Sequence, residues 1–265
     1  MLRDITLGQY FPGDTVVHRL DPRTKLILVI AFIVGLFAAK GWPSYAVIIA
    51  VTALSLRVSK IKPGSAFKGL KPIIFIIVLT ALLNIFYTDG TPVAEGWPIT
   101  WQGIEKAIMM SLRIIILIIG TFTLTYTTSP IALTDGMELL MNPLKKIRVP
   151  VHEMSMMMSM ALSFIPSLIK ETDKIMSAQK ARGADFETGN LLQRAKALLP
   201  ILVPLFVSSF RRADELAVAM ESRCYHGGEG RTRMKQLKLE KRDLVALLLG
   251  AVFLAAIFVM KHFGL

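Results

Sequence analysis

The chain has 265 residues, of which 53% are hydrophobic, and its formal net charge at pH 7 is +12. The apolar residues cluster in blocks, which is typical of proteins that cross a membrane several times and argues against an ordinary soluble domain. Most basic residues lie between these blocks, so the charge indicates a cytoplasmic membrane face rather than a nucleic-acid surface. The single cysteine, Cys224, excludes an intrachain disulfide.

Five apolar segments predict membrane-spanning helices. The first two are short, because a spanning helix needs roughly 20 residues. A re-entrant hairpin is therefore the alternative to two short spans. Flanking Lys25 and Arg57 favour the spans, since long basic side chains can reach the membrane interface. The five segments are residues 26–39, 45–58, 72–87, 104–126 and 244–263.

The charges of the connecting loops predict the orientation. Residues 57–71 carry five basic side chains and no acidic one, whereas residues 88–103 carry two acidic side chains and no Lys or Arg. The first loop is therefore expected in the cytoplasm and the second outside. Counting from these loops, we expect the N-terminus and residues 129–243 in the cytoplasm and the C-terminus outside.

The long segment before the last span predicts two helices. In the first, apolar residues recur at helical spacing: Met154, Met157, Met158, Ala161, Leu162 and Ile165. The second covers residues 191–223, and its apolar middle, residues 198–210, is read as a buried or membrane-surface helix, with a sixth span as the alternative. The predicted fold is an all-α membrane protein with about five transmembrane helices and a cytoplasmic helical domain inserted before the last span. Its domains are residues 1–128, 129–243 and 244–265.

Two short motifs, Ala181-Arg182-Gly183 and Ser222-Arg223-Cys224, lie at the ends of these two helices. Basic residues are common there, because the helix dipole and the free carbonyls favour them. The two arginines are 41 residues apart in equivalent settings, and arginine suits forked contacts with carboxylates of a partner. Spacing alone slightly favours the ordinary helix-end explanation and leaves partner docking open.

No sequence motif indicates catalysis. The glycine-rich residues 227–232 have no lysine in the phosphate-binding position, and the four histidines are too scattered to form a metal site. We therefore expect no catalytic residues, no metal and no enzyme activity, so a partner subunit or an ion gradient would supply the energy for transport. A self-contained secondary transporter or channel is the rival hypothesis. It rests only on Arg113 inside the fourth apolar segment.

The N-terminal residues 10–13 and 18–26, taken with the two arginine motifs, carry a family resemblance. The first stretch reads Tyr-Phe-Pro-Gly and the second His-Arg-Leu-Asp-Pro-Arg-Thr-Lys-Leu. Over nearly its whole length the chain resembles the transmembrane (T) component of energy-coupling-factor transporters, a variant of ABC transporters that imports vitamins. The first arginine motif matches the usual Ala-Arg-Gly of the family, whereas the second has Ser and Cys beside its arginine.

The resemblance implies a coupling scaffold in a bacterial cell membrane that imports a vitamin or a metal. Two ABC-type ATPase subunits, which hold the ATP and magnesium, would dock at Ala181, Arg182, Gly183 and at Ser222, Arg223, Cys224. A membrane substrate-binding S component, possibly interchangeable, would pack on the methionine-rich stripe. Spacing alone favours core filling for that stripe, and the resemblance reverses this preference because methionine adapts to different partners. No nucleic-acid partner is implied.

Overall fold

A computed structural model of the chain describes residues 10–61, 64, 69–92, 99–186, 190–227 and 237–263. These residues form eight α-helices, and the only strand-like pairing among them is an isolated bridge between Pro92 and Thr100. The all-α prediction is therefore confirmed for the described part of the chain. The helices are α1 Pro22–Ala38, α2 Trp42–Val58, α3 Ile74–Tyr87, α4 Trp101–Thr127, α5 Pro130–Met141, α6 Val151–Ala181, α7 Leu191–Glu221 and α8 Lys241–His262.

Each predicted apolar segment lies in one helix, apart from a residue or two at its ends. Only α4 and α8 are long and apolar enough to cross a membrane by length and composition, among the residues described. The helix α2 and the stretch Lys71–Tyr87 are apolar but shorter. Five spans and the re-entrant alternative for the first two both stay predictions.

The described residues group into two compact units, one made of those within 8–140 and 237–265 and the other of those within 141–236. In the first unit, which we call the membrane unit, α1 packs against α8 and α4, and α3 packs against α4. A Cβ atom at Gly35 would lie 2.9 Å from Cε1 of Phe253, so a larger residue there would force the Phe253 ring of α8 to move. The buried apolar core of this unit contains Leu36, Ala38, Ala39, Tyr45, Ile48, Ile116 and Ile257.

A buried polar network joins α1 to α8 in the membrane unit. The backbone N–H of Asp21 donates to Oδ1 of Asp243 at 2.8 Å, and both aspartates are buried. Asp21 also caps α1 by accepting from the backbone N–H of Arg23 at 2.9 Å. The Arg23 guanidinium forms a fork on the same carboxylate, with Nε to Oδ1 at 3.1 Å and Nη2 to Oδ2 at 3.0 Å. Each buried charge in this network therefore has an oppositely charged or hydrogen-bonding partner.

Lys25 extends the same network to α4. Its side chain is buried, and Nζ donates to the carbonyl of His18 at 3.1 Å, to the carbonyl of Thr127 at 2.9 Å and to Oγ1 of Thr128 at 3.2 Å. The three donors of the ammonium group are thus all used. The polar stretch 18–26, on which the family resemblance partly rests, therefore fixes the start of α1 against α4 and α8.

Arg113 is a packed residue of α4. Its Nε donates to the Tyr45 hydroxyl at 2.9 Å and its Nη2 donates to the carbonyl of Ala39 at 3.1 Å. The guanidinium also lies 5.7 Å from the centre of the Phe37 ring, a cation–π distance. These contacts tie α4 to the end of α1 and the start of α2, and they give Arg113 a structural role.

The second unit, which we call the coupling unit, contains α6 and α7, each 31 residues long and packed against one another. Pro150 is the N-cap of α6, as expected from its position before the apolar stripe. The helix α7 begins with a capping box in which Asn190 and Gln193 satisfy each other's backbone N–H groups. Both predicted helices of this region are confirmed, and they continue through their internal prolines, Pro166, Pro200 and Pro204. The predicted domain bounds, 129 and 243, stay a prediction.

Candidate functional site

The first arginine motif forms the C-terminal cap of α6. Ala181 is the last helical residue, Arg182 is the C-cap, and Gly183 follows in the left-handed region at φ 89°. The backbone N–H of Ala184 donates to the carbonyl of Gln179, and that of Gly183 donates to Lys180, both at 3.0 Å. This pair of hydrogen bonds is the Schellman motif, which reverses the chain sharply after a helix.

The second arginine motif ends α7 with the same hydrogen-bond pattern. The backbone N–H of Tyr225 donates to the carbonyl of Met220 at 3.0 Å, and that of Cys224 donates to Glu221 at 2.9 Å. Cys224 takes the left-handed position at φ 58°, where Gly183 stands in the first motif. Arg182 and Arg223 therefore each directly precede the left-handed residue of this pattern, although the C-cap of α7 is Ser222.

Both motif arginines are exposed, and neither makes an ion pair or a side-chain hydrogen bond within the described ranges. Each arginine stands at a helix C-terminus, where the partial negative charge of the free carbonyls favours a cation. The flanking Ala181, Ser222 and Cys224 are exposed as well. The arrangement offers two equivalent cationic forks that an acidic partner surface could accept.

The methionine-rich stripe of α6 is only partly covered within the coupling unit. Met154, Met157 and Met158 are 42%, 58% and 47% exposed, and Ala161 is exposed, whereas Leu162 and Ile165 are half-buried. Core filling therefore does not explain the three methionines within this unit. Whether a partner covers them stays a prediction.

The apolar middle of α7 is also exposed in the coupling unit. Ile201 is only 3% exposed, but most of the apolar side chains around it are exposed. An apolar surface of this extent is typical of a helix that faces lipid or another protein. The exposed side chains of this stretch are Leu198, Leu199, Leu202, Val203, Phe206, Val207 and Phe210.

One polar contact joins α6 and α7 and was missed by sequence reasoning. Arg212 Nη2 donates to Oε2 of Glu171 at 3.2 Å, and the Ser208 hydroxyl donates to Oε1 of the same carboxylate. The Arg212 guanidinium also lies 5.7 Å from the centre of the Phe164 ring. We call these four side chains the Glu171–Arg212 clamp. Glu171 lies eleven residues before Arg182, and Arg212 lies eleven residues before Arg223. This equal spacing was the only indication of the contact in the sequence.

No group of three or more His, Cys, Asp and Glu side chains that could hold a metal ion occurs in the described part of the chain. The site thus consists of two exposed helix-end arginines, two exposed apolar faces and the clamp between the helices. These are features of a surface that contacts other proteins or lipid.

Comparison with known proteins agrees with the family resemblance. The family model described as Cobalt transport protein matches residues 13–234. The Energy-coupling factor transporter transmembrane protein EcfT of Clostridium kluyveri is 56% identical over 256 residues, which cover 95% of each chain. Proteins of the same name are 50% identical over 265 residues in Ruminiclostridium cellulolyticum, with 99% of each chain covered, and 46% identical over 264 residues in Bacillus subtilis, with 98% of this chain and 100% of the relative covered. The chain belongs to the family of transmembrane (T) components of energy-coupling factor transporters, which are transport proteins and not enzymes.

Proposed function

We propose that this chain is the scaffold that couples two ATPase subunits to a membrane substrate-binding subunit in an ATP-driven importer. The observation that carries the proposal is the matching hydrogen-bond pattern at the two arginine motifs, since two ATPase subunits need two comparable docking points. The exposed guanidinium groups of Arg182 and Arg223 would bind carboxylates on the ATPases.

ATP and magnesium would be bound in the ATPase subunits, and their closure would move the docked ends of α6 and α7. This arrangement requires the coupling unit to lie in the cytoplasm, as the loop charges predict. The rest of the predicted topology, with a cytoplasmic N-terminus and about five spans in a bacterial cell membrane, belongs to the same proposal.

The substrate-binding subunit would pack on the exposed methionines of α6 and on the apolar face of α7. Methionine side chains are flexible and polarisable, so one surface can adapt to several different subunits. The exposure of Met154, Met157 and Met158 supports this assignment. The cargo would be a vitamin or a metal ion bound by that other subunit rather than by this chain.

The test is the double variant Arg182→Ala with Arg223→Ala, assembled with the ATPase and substrate-binding subunits in liposomes. We expect it to insert normally but to lose ATPase co-purification and ATP-dependent uptake. The matched control is Lys174→Ala with Arg211→Ala, which removes two exposed cations from the same two helices. Normal uptake by the double variant with the ATPases still bound would contradict the docking role.

The rival hypothesis, a self-contained secondary transporter, is not favoured by the full-length similarity to energy-coupling factor components. The rival rests on Arg113, and the guanidinium of this residue donates hydrogen bonds to the Tyr45 hydroxyl and the Ala39 carbonyl. The secondary-transporter hypothesis would be supported if the purified chain alone took up substrate in liposomes without ATPases or ATP.

A further inference from the structure

The Glu171–Arg212 clamp encloses its charged groups between the two helices. The side chains of Arg212 and Glu171 are 30% and 26% exposed, and Nη1 of Arg212 is buried without a hydrogen-bond partner in the described part of the chain. With Nη2 on Glu171 and the Phe164 ring near its centre, the guanidinium is directed into the helix pair. Arg212 is therefore not a third docking arginine.

The clamp adds directional polar contacts to the packing of the two helices. On the clamp's face of α7, Leu205 and Leu216 are half-buried. By contrast Phe206, Val207 and Phe210, on other faces, are 62%, 56% and 68% exposed. A carboxylate that accepts from both Ser208 and Arg212 allows only one register between the helices. A slip by one helical turn would displace one helix by about 5.4 Å and break both contacts.

The clamp lies at the same number of residues before the arginine motif in each helix. Glu171 lies eleven residues before Arg182, and Arg212 lies eleven residues before Arg223. From the clamp to the last helical residue, each helix runs roughly 14–15 Å at a rise of 1.5 Å per residue. The two arginine motifs are thus at the ends of two arms of nearly equal length that start at one shared contact.

We propose that the Glu171–Arg212 clamp is a positioning element that holds the two arginine-bearing helix ends in a fixed relation and passes displacement of one end to the other helix. The inference rests on the proposed coupling function. A helix of about three turns moves as a stiff element, and a register-specific contact between two stiff elements carries force from one to the other. Without the clamp the ATPases still dock, but their motion is not transmitted between the helices.

The functional test uses the full complex in liposomes and compares Glu171→Ala and Arg212→Ala with the wild type. We expect the ATPases to co-purify normally while substrate uptake per ATP hydrolysed falls about five- to tenfold. The matched controls are Asp173→Ala and Arg211→Ala, exposed neighbours on the same helices, which should leave this ratio unchanged. Loss of ATPase co-purification in the clamp variants would overturn the proposal, because the residues would then be docking residues.

A distance measurement separates positioning from a general loss of folding. The only cysteine of the chain, Cys224, is exposed in the second arginine motif. A spin label there and a second one at Ala178→Cys report the distance between the two helix ends in the full-length chain. We expect one narrow distance distribution in the wild type and in the two controls, and a broad one in Glu171→Ala and in Arg212→Ala.

The charge-reversed variant Glu171→Arg with Arg212→Glu keeps the pair while exchanging its members. We expect it to recover a narrow distribution and at least half of the uptake per ATP. The proposal would be overturned if the single variants kept the wild-type distances and uptake. It would also be overturned if the charge-reversed variant were as impaired as the single variants. Failure of the proposed coupling function would look different from failure of the clamp proposal. In that case the wild type itself would bind no ATPases or would import substrate without ATP.

Discussion

The buried charges of the membrane unit and the exposed arginines at the helix ends of the coupling unit are used in opposite ways. In the membrane unit, Asp21, Lys25 and Asp243 are buried and bonded to groups of the same unit. In the coupling unit, Arg182 and Arg223 are exposed at helix ends. A buried charge must be satisfied by its own protein, whereas an exposed one can meet a partner. The comparison separates charges that hold the fold from charges that are available for docking.

The largest effect is expected from removing a buried charge of the membrane unit. Lys25→Met keeps most of the side-chain volume but leaves the carbonyls of His18 and Thr127 without their donor. Leaving a buried acceptor unsatisfied costs about 1–3 kcal/mol for each group. We expect a strongly lowered unfolding temperature in detergent. The control Lys40→Met removes an exposed lysine near the end of the same helix, and equal unfolding temperatures of the two variants would contradict the structural role.

A smaller effect, of opposite sign, is expected at the end of α7. Cys224 adopts a left-handed conformation that costs a residue with a Cβ atom about 1 kcal/mol relative to glycine. Cys224→Gly should therefore raise the free energy of unfolding of the coupling unit by about that amount. The control Cys224→Ala removes the thiol but keeps the Cβ atom, so it should bring no gain. A gain shared by both variants would show that the thiol, and not the backbone, carries the cost.

The smallest effect on stability is expected on the exposed methionines. Met157→Ser with Met158→Ser changes side chains that are 58% and 47% exposed, so the unfolding free energy should change by less than about 0.5 kcal/mol per residue. Co-purification of the substrate-binding subunit should nevertheless be lost. The control Ile147→Ser alters a 72% exposed apolar residue of the same unit and should leave binding intact. Unchanged binding in the double methionine variant would remove the stripe from the proposed interface.

Local patterns predicted the helices well, because apolar blocks and helical spacing depend on neighbouring residues. The end of α6 at Arg182 and Gly183 was predictable from the preference of glycine for the left-handed region. The matching position of Cys224 was not, since cysteine has no such preference. The contacts of Lys25 with Thr127 and of Asp21 with Asp243 join residues 102 and 222 positions apart. The clamp joins residues 37 and 41 apart, and a single sequence does not show which distant residues will meet.

The link between Asp21 and Asp243 has a consequence for synthesis in the cell. The ribosome makes α1 before α8, so the amide of Asp21 can bond to Asp243 only after 222 further residues have been made. A chain that stops before Lys241 lacks this acceptor, so the amide of Asp21 cannot form its hydrogen bond to Asp243. The contact that fixes the start of α1 against α8 is therefore formed late, after the helices between them have been made.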